Sequence, residues 1–94
     1  MNTAYKFNMT DPMMLFQNDL DVLEDEVERE LRLHDLKRAV ILSASPEHET
    51  IIKYEDFKGN DCRIVTKVIG VTEYNVILAN QKLIPIHRVS KVVV

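Results

Sequence analysis

The chain predicts an α+β fold: an N-terminal amphipathic helix followed by a small antiparallel barrel or curled sheet of five or six strands. Three observations lead there. Apolar residues recur at helical spacing from Met13 to Leu31, the period shortens towards two from Arg38 onward as β-branched residues crowd together, and turn residues punctuate the second half at short intervals. At 94 residues the chain is too short for two independent cores, so residues 1–94 are assigned to one domain, 11–36 as helix and 38–94 as strand-rich barrel. A composition 46% hydrophobic and 29% charged, with two glycines and three prolines, lies far from that of a disordered segment.

Asp11 followed by Pro12 is a helix start signal, because the carboxylate accepts from free first-turn amides and proline at the first helical position gives up no hydrogen bond. Met13, Phe16, Leu20, Leu23, Val27 and Leu31 then fall within about 80° of arc and predict a core-facing stripe. His34 lies at the same angle as Phe16 and is expected to close that stripe. Asp19, Asp21, Glu24, Asp25, Glu26, Glu28 and Glu30 fill the rest of the surface as a solvated acidic face. A second, sparser stripe of Leu15, Val22 and Leu33, with Leu36 nearby, would be exposed in a monomer and predicts self-association.

Residues 38–44 (RAVILSA) read as a strand or a transition segment, and 45–49 (SPEHE) as a turn, since Pro46 opposes a continuing helix. TIIKYEDF is a strand closed by a turn around Gly59. CRIVTKVIGV is a long strand bending at Gly70, NVILA a short one, and KLIPIHRV and KVVV end the chain. Pro85 has no amide donor, so its strand belongs on an edge. The terminal Val92 to Val94 offers a free edge, and Val92 and Val94 join Leu15, Val22 and Leu33 as expected self-association residues.

Residues 50–94 (TIIKYEDFKGNDCRIVTKVIGVTEYNVILANQKLIPIHRVSKVVV) resemble the Sm-like small barrels. In that group, which includes the Hfq-type RNA chaperones, the Rho inhibitors and the YolD-like proteins, the same series recurs after an N-terminal helix: a strand, a polar turn with glycine, a long bent strand and a closing pair. IPIHRVSKV is also similar to an IPxHRI segment in proteins with an RNA cyclic-group end recognition domain. The helix here is longer and more acidic than in the Hfq group, and the glycine–aspartate pair of eukaryotic Sm sequences is missing. The resemblance implies an Sm-like fold and an RNA-binding alternative for function.

Charge is divided unevenly. Residues 1–47 hold ten acids and five bases, whereas residues 48–94 hold five acids and seven bases. Lys53, Lys58, Arg63, Lys67, Lys82, His87 and Arg88 form the candidate nucleic-acid-binding set, with Tyr54, Phe57 and Tyr74 near turns as rings that can stack on bases. Arg63 and Lys67 share strand parity and are expected to point the same way.

Catalysis finds no support. Ser43, Ser45, Ser90 and Cys62 sit in no nucleophile motif, Cys62 is expected in the core, and two isolated glycines cannot build a phosphate-cradling loop. His34–Asp35 reads as a chance dipeptide. Glu30 with His34, and Glu47, His48 and Glu49 beyond, permit metal ligation without demanding it. No catalytic residue, metal or small-molecule cofactor is assigned. The longest apolar runs, Ala39 to Leu42 and Val92 to Val94, are far short of the roughly 20 residues of a membrane helix. The lone Cys62 and an N-terminus without a signal-peptide pattern point to a reducing cytoplasm. The reading is therefore a non-enzymatic regulatory or adaptor module acting by protein binding and as a homo-oligomer, with an RNA-binding Sm-like barrel as the alternative.

Overall fold

The computed structural model describes residues 20–94 as an α+β arrangement of one helix and two three-stranded antiparallel sheets around a shared core. Helix α1 spans Glu26–Leu42. Strands β1 (Thr50–Glu55), β2 (Asp61–Thr66), β3 (Val68–Val71), β4 (Asn75–Leu78) and β5 (Leu83–Pro85) follow, then a single 3-10 turn (Ile86–Arg88) and β6 (Val89–Val93). One sheet has the order β2-β1-β6 and the other β3-β4-β5.

The helix begins later and ends later than its sequence pattern predicts. Asp25 is the N-cap, its carboxylate accepting from the Val27 amide at 2.9 Å, and residues 20–25 are not helical. These residues are fixed by hydrogen bonds to the 3-10 turn and to the helix. The Val22 amide donates to the His87 carbonyl at 2.9 Å, and Arg29 Nε to the Leu23 carbonyl at 2.7 Å. Met13, Phe16, Leu15 and the Asp11–Pro12 start signal lie outside the described residues. At the other end, residues 38–42, expected as a strand or transition, complete α1, and Ser43 closes it by donating its hydroxyl to the Val40 carbonyl at 2.6 Å.

The buried face of α1 is also not the expected one. Arg32, Leu36 and Ala39 face the sheets, whereas Val27 and Leu31 lie on the opposite side, 61% and 56% exposed. Leu20 and His34 are exposed as well. Of the second stripe, Leu36 is fully buried, Val22 is half-buried and Leu33 exposed. The reason lies with Arg32, whose charge hides the true face in any hydrophobicity pattern. Its guanidinium donates to both carboxylate oxygens of Asp21 at 2.7 and 2.6 Å, and to the Val89 carbonyl at 3.0 Å. Burial works to raise the Asp21 pKa. The bonds from Arg32 and the Leu23 amide, with the charges of Arg32 and Arg29, outweigh it and hold the carboxyl below its usual range.

The core joins Leu36 and Ala39 to Ile52, Val68, Val76, Leu78, Ile84, Val89 and Val92. Val89 and Val92 both point inward although they are three apart. The register against β1 slips between Tyr54↔Val89 and Lys53↔Lys91, leaving Ser90 as the extra residue of a bulge. That bulge places Val92 in the core rather than on a free interaction surface, and Val94 packs against the same cluster.

The strands do not close into a barrel. The long strand expected over 62–71 is divided at Lys67, whose ammonium donates to the Ser45 and His48 carbonyls at 2.7 and 2.6 Å and draws the chain towards the helix–strand loop. The bulge expected at Gly70 is present, with Ile69 unpaired between Val68↔Leu78 and Gly70↔Ile77. Pro85 ends β5, and the 3-10 turn separates it from β6.

Candidate functional site

The β1–β2 hairpin turn is built by Asp56. Its carboxylate accepts from the Lys58 and Asn60 amides, both at 2.9 Å, and Gly59 takes the left-handed conformation with φ of 86° that the turn requires. The Asn60 amide, followed by the Lys58 amide and the Asn60 side chain, holds the Asp56 carboxyl below its ordinary pKa against a smaller desolvation effect. This turn lifts Phe57 into solvent, 72% exposed. Across from it, Thr72 Oγ1 accepts from the Tyr74 and Asn75 amides at 3.3 and 3.0 Å, a hydroxyl-capped turn that leaves Tyr74 70% exposed. The Tyr74 carbonyl in turn accepts from the Ile86 amide at 2.8 Å, fixing this tip against the 3-10 turn.

Between these two turns runs a groove of about 960 Å³. Tyr54, Phe57 and Tyr74 line it with exposed Leu83, so three rings and an aliphatic side chain share one concave surface. Its charged groups are largely matched. Arg88 Nη1 lies 3.4 Å from Glu55 Oε1, and Lys82 Nζ lies 3.5 Å from Tyr54 Oη and 5.8 Å from the ring centre. Cys62, expected in the core, is half-buried on the groove wall, with Sγ 3.8 Å from Asp56 Oδ2. The strand start places it beside the polar turn instead of beneath the sheet.

The seven residues of the nucleic-acid set are not brought to one place. Lys82, His87 and Arg88 line the groove, and Lys58 sits on the adjoining hairpin turn. Lys53 and Arg63 are cross-strand partners in the β2-β1-β6 sheet. Lys67, expected to point with Arg63, is engaged by loop carbonyls at the strand break. Lys91, one of the seven bases of the strand half but outside the nucleic-acid set, lies opposite Lys53 on its other side and completes an exposed row Arg63–Lys53–Lys91. Alternation along β6 could not have placed it there, because the bulge at Ser90 shifts the parity.

For catalysis the arrangement supplies little. Ser43 and Ser90 donate their hydroxyls to the Val40 and Lys53 carbonyls. Among the described residues no group of three His, Cys, Asp or Glu side chains converges as a metal site, and no helix is long and apolar enough to cross a membrane. No protein-family model, curated protein or solved structure matches the chain.

Proposed function

We propose that this chain is a non-enzymatic regulatory or adaptor module that binds protein, seating an extended segment of its partner in the groove between Phe57 and Tyr74. One observation carries the reading: Phe57, Tyr74 and Leu83 are exposed together around a single concave surface. Large apolar side chains left in water at one place mark interaction sites, and aromatic residues are the usual anchors of protein interfaces. Phe57, Tyr74 and Leu83 are 72%, 70% and 55% exposed, so covering them is worth roughly 3–6 kcal/mol before ordering costs. A micromolar complex requires about 8 kcal/mol, so the expected complex is weak and transient. A reducing cytoplasm suits the lone Cys62.

RNA is the second reading, within an Sm-like relationship. The helix and the hairpin with a polar glycine turn support that relationship, the divided strand and open sheets do not, and rings beside Lys82 and Arg88 suit stacked bases. The acids Glu55 and Asp56 on the same wall favour polypeptide over phosphate.

A random-peptide display selection on the whole protein tests the proposal. Apolar and aromatic peptides are expected to be enriched, and enrichment is expected to vanish for Phe57→Ala with Tyr74→Ala while thermal melting is unchanged. Retention of a single-stranded RNA pool at low salt, lost on the same two substitutions, would give the site to RNA. Peptide selection indifferent to Phe57 and Tyr74 would refute the groove.

A further inference from the structure

The outer face of the β2-β1-β6 sheet carries two rows across its three strands and, next along β1 and β2, the acidic pair Glu55–Asp61. Val65, Ile51 and Val93 form one, with Val65 and Val93 exposed and Ile51 half-buried. Arg63, Lys53 and Lys91 form the next. Like charges directly opposite each other repel, and among the described residues none of these three cations has an ion pair. The nearest acids on this face are Asp61 and Glu55, the latter paired with Arg88, so the three cations keep a net positive charge beside the apolar row.

A complement to this surface is present elsewhere on the same chain. On the outer side of α1, exposed Val27 and Leu31 lie one helical turn apart, flanked by Glu28 on one side and by Glu26 and Glu30 on the other. These glutamates are exposed and, among the described residues, equally without ion pairs. Val27 and Leu31 lie about 6 Å apart along the helix axis, which fits within the roughly 10 Å that three strands span across a sheet. Laid along the valine–isoleucine row, a helix with this pattern sets one acidic flank over the cationic row.

We propose that the outer sheet face of one molecule docks the outer face of α1 from a second copy. The contact joins unlike faces, because either face set against itself would oppose like charges. It is met by a reciprocal two-fold dimer, in which each copy's helix covers the other's sheet, or by a head-to-tail contact, which builds rings or open chains. The groove proposed for partner binding lies outside this contact and remains accessible.

Charge-swap complementation of the full chain, followed by sedimentation, tests this. The parent is expected to exceed the monomer mass at ~0.01 M salt and to fall to monomer near ~1 M, where the screening length shrinks from ~30 to ~3 Å. Lys53→Glu with Arg63→Glu should be monomeric at low salt, and because the reversed pair is still like-charged across the strands and stands beside Glu55 and Asp61, its melting is measured to show that it is folded. Glu26→Lys with Glu30→Lys should also be monomeric. Mixing the two variants should restore assembly, since each reversed face then meets its opposite. A monomeric parent at low salt, assembly that survives either charge reversal, a mixture that stays monomeric, or a mass increase abolished by ribonuclease would each overturn the proposal.

Discussion

Replacing Asp21 by alanine removes two of the three hydrogen bonds that Arg32 makes and leaves a guanidinium whose side chain is 6% exposed without its counter-charge. Breaking a buried pair from one side costs about 3–5 kcal/mol. Domains of this size lose about 4–8 °C in Tm per kcal/mol, so a fall of at least ~12 °C is expected. Arg32→Met in the same background should recover much of the loss, because an apolar side chain of similar length suits the space beneath Val89 better than an unpaired charge. The pH dependence has a defined sign. The folded-state pKa of Asp21 is depressed, so its contribution is present above the ordinary carboxylate range and disappears as pH falls through the folded value. Urea unfolding from pH 7 downward should therefore show a steeper acid loss for the parent than for Asp21→Asn. An Asp21→Ala variant melting within ~2 °C of the parent would show that the clasp contributes little, and that Arg32 finds its partners elsewhere.

Other outcomes follow from the same geometry. Leu36→Ala should destabilise by about 2–5 kcal/mol, whereas Leu31→Ala on the opposite face should stay within about 0.5 kcal/mol, and chemical denaturation separates the two faces directly. Gly59→Ala should cost about 1 kcal/mol or more by thermal melting, because φ of 86° is unfavourable for any residue with a Cβ. Gln81 occupies a comparable conformation with φ of 69° at the β4–β5 turn, so Gln81→Gly should raise the melting temperature rather than lower it.

Local chemistry made much of the strand half legible. Thr50–Glu55 alternates and ends at an aspartate–glycine turn, Asn75–Leu78 is short and β-branched, and Pro85 stands where a strand stops. These signals act over a few residues, and the backbone obeys them wherever the chain is placed. The helix was legible as a helix but not in its bounds or its buried side. Asp21 and Arg32 are eleven residues apart, which on one continuous helix is three turns and about 16 Å, and they pair only because residues 20–25 leave the helix. The candidate groove was legible as three aromatic residues near turns, and only the antiparallel pairing brought them around one space. The cationic row required still more: two strand registers and a bulge at Ser90 had to be known before Lys91 could be placed beside Lys53. Propensity, turn chemistry and charge composition are properties of the chain, and the sequence alone determined the α+β class and the acidic-then-basic division. Which helix face is buried, where the strands break and which charges become neighbours are long-range pairings, and tertiary packing decided them.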